Sequence, residues 1–257
     1  MKKLLLQLTF ILFLSFIQDK NMIPLPKKPK IIRKDKNRAQ IQIEALYPGY
    51  GVTIGNALRR VLLSSIEGAA VTQMRIKGVP HEFTTIPGIL EDVLTIMLNV
   101  KQLRFRMLTD QPQKATLKVK GEKEVKGKDF EVPAQLELIN KDCHIATLTS
   151  KSAKLEMEIL VEKGVGYSPR EEREKEKTEI GTIVLDAVFS PIKNVAMHIE
   201  NMRVGKRTDF ERLILDIETD GTKSPEEAFE EAIKILIDHF SHISKLHAKE
   251  EKGKKTS

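Results

Sequence analysis

The chain has no tryptophan, only three tyrosines and a single cysteine among its 257 residues. Aromatic side chains make up 5% of it, so stacking platforms for single-stranded nucleic acid are scarce. One cysteine, Cys143, excludes a disulfide within the chain and a cysteine-rich zinc site, and fits a reducing compartment. No serine lies in a G-x-S-x-G setting. Cys143 and His144 are neighbours in a candidate strand, where adjacent side chains face opposite sides, so they make no nucleophile–base pair. The residues give catalysis by this chain little support, and there is no internal repeat.

An excess of one charge is also missing from most of the chain. The net charge is +7, but residues 1–38 carry ten Lys and Arg against two Asp, which leaves −1 on everything after them. A body that grips a duplex through many phosphates carries its positive charge on the fold itself. The basic beginning therefore offers only salt-sensitive, non-specific contact with DNA. The longest apolar run, Leu4–Ile17, follows Lys2-Lys3 like a signal peptide, yet it is short for a membrane span and no small-x-small cleavage site follows it. Two readings stand for residues 1–21: an extension upstream of a true start at Met22, which is preferred, or a targeting segment. On the first reading the segment is dispensable.

What is present suits a globular protein: 40% apolar and 31% charged residues, with enough length for one large core or two smaller ones. Pro24, Pro26 and Pro29 hold residues 22–36 as an extended Lys-rich arm. Ala39, Ile41, Ile43 and Ala45 then alternate with polar residues as a strand. A helix is expected over 53–66, with Thr53 as N-cap and Ile54, Ala57, Leu58, Val61, Leu62 and Ile66 as one core-facing stripe.

From 70 to 165 the pattern is strand-rich, with candidate strands at Val71–Ile76, Leu103–Met107, Lys114–Val119, Leu136–Asn140, His144–Leu148 and Leu155–Val161. One helix near Leu90–Asn99 interrupts them, with Glu91 and Asp92 in its early turns. Lys120–Lys128 reads as a charged turn, and the wholly polar 168–179 as a solvated loop or partner-facing lobe. Strands at Thr182–Ala187, Val195–Asn201 and Arg212–Glu218 precede a last helix. Ser224-Pro225-Glu226-Glu227 opens that helix with a capping box and a first-turn proline. Along it Phe229, Ile233, Leu236, Phe240 and Ile243 form a heptad-like seam that Ala228, Ala232, Ile235 and Leu246 widen. The last residues are polar.

Four constellations carry the functional reading. Turning 100° per residue places Asn56, Arg59, Arg60 and Leu63 opposite the core stripe of the first helix, as either a mixed contact patch or a solvated face. Gly49-Tyr50-Gly51 with Gly55 sits between strand and helix like a dinucleotide turn, but has one residue too many for G-x-G-x-x-G. Glycines permitting a tight turn explain it better. His239 and His242, three apart, with His247 nearby, make a weak metal candidate beside the plainer reading of histidines at a helix C-terminus. The apolar last helix shows more than one face that a small domain has to cover, which points to association.

The stretch Gly49-Tyr50-Gly51-Val52-Thr53-Ile54-Gly55-Asn56-Ala57-Leu58-Arg59-Arg60-Val61-Leu62-Leu63-Ser64-Ser65 closely resembles the signature of bacterial RNA polymerase alpha subunits. Gly78-Val79-Pro80-His81-Glu82-Phe83, Glu91-Asp92-Val93, Leu98-Asn99-Val100-Lys101, Gly164-Val165-Gly166-Tyr167, Val184-Leu185-Asp186-Ala187 and Arg207-Thr208-Asp209 follow in the family's order. The likeness runs from about Ile31 to Phe240.

The resemblance implies an α+β fold: a dimerisation domain of strands and two helices, from 22–67 and 188–246, with an inserted strand-rich second domain over 68–187. A disordered tail over 247–257 stands where the family continues into a DNA-binding domain, which is absent here. It also implies a cytoplasmic, non-catalytic subunit of DNA-directed RNA polymerase without cofactor or metal, a homodimer that binds the beta subunit and then beta-prime, touching DNA only within the assembled enzyme and no membrane. Carried over by position, Arg59, Arg60, Leu63, Lys101 and Leu185 would face beta. Arg212, where the family usually has lysine, would face beta-prime. Phe229, Ile233, Leu236 and Phe240 would form the dimer interface. Two other classes of reading remain open at this point: a nucleotide-dependent enzyme built on the glycine turn, and a membrane-anchored binding protein built on the first residues.

Overall fold

A computed structural model describes residues 23–173 and 181–244. The signal-like run, the polar end of the chain with His247 and Leu246, and residues 174–180 of the polar lobe lie outside the described residues.

Along the chain come β1 (Lys30–Lys34), β2 (Arg38–Leu46), α1 (Tyr50–Ser65), β3 (Glu67–Ile76), α2 (Val93–Val100), β4 (Phe105–Met107), β5 (Gln113–Lys120), β6 (Lys123–Lys126), β7 (Phe130–Glu131), β8 (Leu136–Leu138), β9 (His144–Leu148) and β10 (Lys154–Val165). Then follow β11 (Tyr167–Ser168), α3 (Arg170–Arg173), β12 (Thr182–Val184), β13 (Ala187–Val188), β14 (Ile192–Val204), β15 (Arg207–Thr219) and α4 (Pro225–Ile243). The fold is mixed α and β, as the α+β expectation has it.

Two larger sheets organise it, both antiparallel. One has the order β1-β2-β15-β14, the other β12-β3-β10-β5-β7. In the first, period-two alternation puts Ile41 and Ile43 of β2 and Leu213, Leu215 and Ile217 of β15 on one buried face. There they meet Leu58, Leu62 and Ile66 at α1 and Ala228, Phe229 and Ala232 of α4 in one apolar cluster. The opposite face is polar: Arg38 and Gln40 both hydrogen-bond Asp216 across the strands. A second, larger cluster, including Met74, Ile96, Phe105, Leu117, Ile145 and Leu155, joins the second sheet, α2 and the two-stranded pairs β4-β8 and β6-β9.

Local chemistry explains the ends. Ser224 Oγ accepts the Glu227 N–H and the Glu227 carboxylate accepts the Ser224 N–H, so the expected capping box is formed, with Pro225 at the first turn. Asp92 caps α2 by accepting the Thr95 N–H at 2.7 Å; it therefore precedes the helix, and so does Glu91, instead of lying in its early turns.

Several expectations need correction. α1 begins at Tyr50, with Gly49 (φ 85°) as its N-cap, because the Thr53 hydroxyl turns back to donate to the Gly49 carbonyl as an ordinary first-turn residue. Part of the arm, Lys30–Lys34, is an edge strand; all five of its side chains are exposed, so it shows no alternation to read. The Lys120–Lys128 turn region contains β6, which buries only Val125, followed by a short 3-10 turn at Gly127–Asp129. Cys143 precedes β9 instead of lying in a strand. The lobe after Ser168 begins with the four-residue helix α3.

Candidate assembly surfaces

Helix α1 is held at its beginning by an internal anion. On β15 Glu211 continues the helix-facing row of Leu213, Leu215 and Ile217, one step beyond its apolar members. An extra residue in β2 opposite Glu211 and Leu213, with Ala45 at φ 60°, bends the sheet there. The Glu211 carboxylate accepts the Gly49 N–H at 2.9 Å and the Gly51 N–H at 2.7 Å. A Cβ on Gly51 would sit 2.6 Å from Glu211 Oε2, and one on Gly55 would sit 3.0 Å from Leu213 Cδ1. The two glycines, four apart, lie on a face where helix and sheet leave no room for a side chain to be added without a shift. The N–H groups that a dinucleotide phosphate would need are thus already occupied, which removes the support for a nucleotide turn.

The single apolar stripe expected on α1 is divided. Gly51, Gly55, Leu58 and Leu62 are buried against the sheet, whereas Ile54, Ala57 and Val61 are only half-buried. Ile54 and Ala57 instead line a groove of about 370 Å³, whose lining also takes in the buried Leu58, Ile43 and Leu46 of β2 and residues of α4. The seam of α4 runs out of the core along this groove. Phe229 is 6% exposed and belongs to the protomer's own core, so as an interface residue it contributes only groove floor. Ile233 and Leu236 are half-buried, and Phe240 is 63% exposed. Pro26 and Pro29 of the arm form the groove's other wall, tied down by Lys27 to Glu44 at 3.2 Å.

On the far side of α1, Arg59 and Arg60 are exposed and Leu63 is 41% exposed. Lys101, just past α2, places its ammonium 2.7 Å from both oxygens of Asp186, and that pairing holds the Asp186 carboxyl below its ordinary range. Leu185 does not belong with these residues. It is 1% exposed and packed in the larger core, so its side chain is closed to a partner and it serves as packing beneath Asp186. Arg212 projects from the polar face of β15, between Glu200 at 3.3 Å and Glu44 at 3.5 Å, with its Nε left without a hydrogen-bond partner. His239 donates from Nδ1 to the Ile235 carbonyl within its own helix, and among the described residues no cluster of three or more metal-ligating side chains occurs. Among the described residues no helix is long and apolar enough to cross a membrane.

The profile of the RNA polymerase Rpb3/RpoA insert domain matches residues 74–190, which take in most of the second sheet. The DNA-directed RNA polymerase subunit alpha of Flavobacterium psychrophilum is 45% identical over 223 residues, covering 85% of this chain and 67% of that relative. The chain belongs to the family of DNA-directed RNA polymerase alpha subunits. The subunit alpha of Symbiobacterium thermophilum is 46% identical over 218 residues, 83% of this alpha-family chain and 69% of the relative. That of Deinococcus radiodurans is 46% identical over 216 residues, 84% of this chain and 63% of the relative.

Sequence reasoning missed Glu211, since a carboxylate at the end of an apolar strand row looks like an ordinary surface acid. It also missed Leu94 and Leu98 on α2, 38% and 51% exposed. Val-Leu-Thr-Ile-Met-Leu-Asn-Val is too apolar for a helix that buries one face, and that excess was the available signal.

Proposed function

We propose that this alpha-family chain is the assembly scaffold of a DNA-directed RNA polymerase and performs no chemistry itself. Two copies pair through the groove between α1 and α4, and the dimer captures first the beta subunit and then beta-prime. In this reading residues 22–67 and 188–246 form the dimerisation domain and 68–187 the inserted domain. Arg59, Arg60, Leu63 and Lys101 face beta, and Arg212 faces beta-prime. The working place is the cytoplasm, on DNA only through the assembled enzyme.

The groove carries the reading. Its lining from Ile54, Leu58, Phe229, Ile233, Leu236 and Phe240 is almost wholly apolar, and among the described residues nothing closes over the Phe240 side chain, which is more than half exposed. Apolar faces of this kind are normally closed by association, and a twofold pairing covers the same face on both copies at once. The test is light scattering on the purified chain with a beta-binding assay beside it. A dimer that captures beta is expected, and Leu236→Glu with Phe240→Glu is expected to give monomer or insoluble protein. A well-folded monomer of the unmodified chain at micromolar concentration refutes the reading.

A further inference from the structure

We propose that Arg104 and Arg106 are positioning residues. Together they hold the part of the fold that carries Lys101 at one fixed angle to the part that carries α1 and α4, so that Arg60 and Lys101 meet one partner at the same time. The coupling to a partner rests on the reading of Arg60 and Lys101 as beta-facing; the fixed angle does not.

The two large apolar clusters are separate, one under the first sheet with α1 and α4, the other under the second sheet with α2. The chain crosses between them twice, from α1 into β3 and from β13 into β14. The crossings touch each other: a Cβ on Gly68 would collide with the Phe189 carbonyl oxygen. Two backbone segments side by side define a hinge line. They resist separation but not rotation about that line, and a contact standing away from it is needed to fix the angle.

That contact is built from β4. Phe105 and Met107 are buried in the larger cluster, so the two-residue period turns Arg104 and Arg106 to the other side of the chain. The Arg106 Nε–H donates to the Thr222 carbonyl at 2.8 Å, and Arg104 Nε lies 3.5 Å from Asp220 Oδ2. Both targets lie in the turn that leads from β15 to the Ser224 cap of α4. The turn is tied internally. Asp220 Oδ1 accepts the Thr222 N–H at 2.9 Å and the Thr222 hydroxyl at 2.6 Å, and the Asp220 N–H donates to the Pro191 carbonyl at 2.9 Å. A cleft of about 110 Å³ is lined by Glu67 and Gly68 of one crossing together with Arg106 and Thr222, so open space separates this strap from the hinge line. The Arg104 guanidinium also donates from Nη1 to the carbonyls of Lys101 and Leu103, at 2.9 and 3.1 Å. One side chain thus joins the turn that presents Lys101 to the turn that starts α4. Two contact groups on one rigid body make the second contact intramolecular, and a loose hinge lowers its effective concentration.

The test compares the full chain with Arg104→Ala and Arg106→Ala combined, and with Arg106→Ala alone should the pair not fold. Spin labels enter through Glu122→Cys and Lys193→Cys, exposed positions with one in each part, on a Cys143→Ser background. Refolding with excess unlabelled chain leaves one labelled copy per dimer. Pulsed EPR is expected to give a narrow distance distribution with the strap intact and a broadened one without it. Affinity for beta from the same genome is expected to fall about tenfold at unchanged dimer mass. It should fall by the same factor on an Arg60→Ala background and hardly at all on Lys101→Ala, where the contact that the angle delivers is already gone. A merely destabilised fold weakens capture equally on both backgrounds, and that result overturns the proposal. So does an unchanged distance distribution, or a broadened one with normal beta capture. If the unmodified chain does not bind beta, the beta-facing reading fails and the coupling falls with it, whereas the distance distribution still decides whether the strap fixes the angle.

Discussion

Replacing Glu211 with alanine tests the anchoring of α1 most directly. The carboxylate accepts two backbone N–H groups, from Gly49 and Gly51, at the positive end of the helix. A hydrogen bond to a charged group contributes about 1.5–3 kcal/mol, and loss of a helix N-cap about 1 kcal/mol. The Gly49 donor is exposed and regains water, so its share is small. The Gly51 donor is buried and is left unsatisfied. A net loss of about 2–3 kcal/mol follows, and at roughly 2–4 °C per kcal/mol for a chain of this size the melting temperature should fall by about 5–10 °C.

The decisive assay is rescue. Alanine empties an anion site at a helix N-terminus, which sulfate or phosphate then fills, so millimolar sulfate should raise the melting temperature of Glu211→Ala well above its effect on the unmodified chain. Gly51→Ala, which pushes a methyl group to 2.6 Å from the same carboxylate, should cost stability alone but less than additively on the Glu211→Ala background. Melting of Glu211→Ala within about 1 °C of the unmodified chain, or equal stabilisation of both by sulfate, refutes the account of the anchor.

Leu58→Ala, at a position 3% exposed, should destabilise the fold by about 2–5 kcal/mol in calorimetry, whereas Arg60→Ala should leave melting and dimer mass unchanged and weaken beta capture about thirtyfold. Normal beta binding by folded Arg60→Ala contradicts the assignment of that face. Stability should also respond to acid through Asp216, whose carboxyl is held below its usual value first by the Arg38 hydrogen bonds. A depressed folded pKa gives stability that is complete above the unfolded value, about 3.9, and is lost as pH falls through the lower folded value. Asp216→Asn should therefore flatten the melting profile below about pH 4 and lower stability near neutrality. An unchanged acid limb rules Asp216 out as a contributor.

Much of this was legible in the chain itself, and the reason is local. The α4 capping box needs only Ser224, Pro225 and Glu227, all within one turn, and it forms as read. The alternation of β2 and the six candidate strands between 70 and 165 reflect a two-residue period that each segment carries alone. The family likeness adds motif order, which no single segment holds. β1 escaped notice because it has no buried side chain and exists through its backbone bonds to β2. β6 escaped because one buried valine makes no pattern.

The rest was decided by tertiary structure, because it depends on residues distant along the chain. Glu211 and Gly51 are 160 residues apart, and only the β15 row against α1 brings a carboxylate to those amides. Leu185 carries the same apolar character as Leu63, but one is folded into the larger core and the other stands open, a difference that burial alone reveals. The core stripe of α1 divides for the same reason. Helical spacing identifies a set of apolar residues, while the neighbouring sheet decides which of them it covers and which remain for a partner.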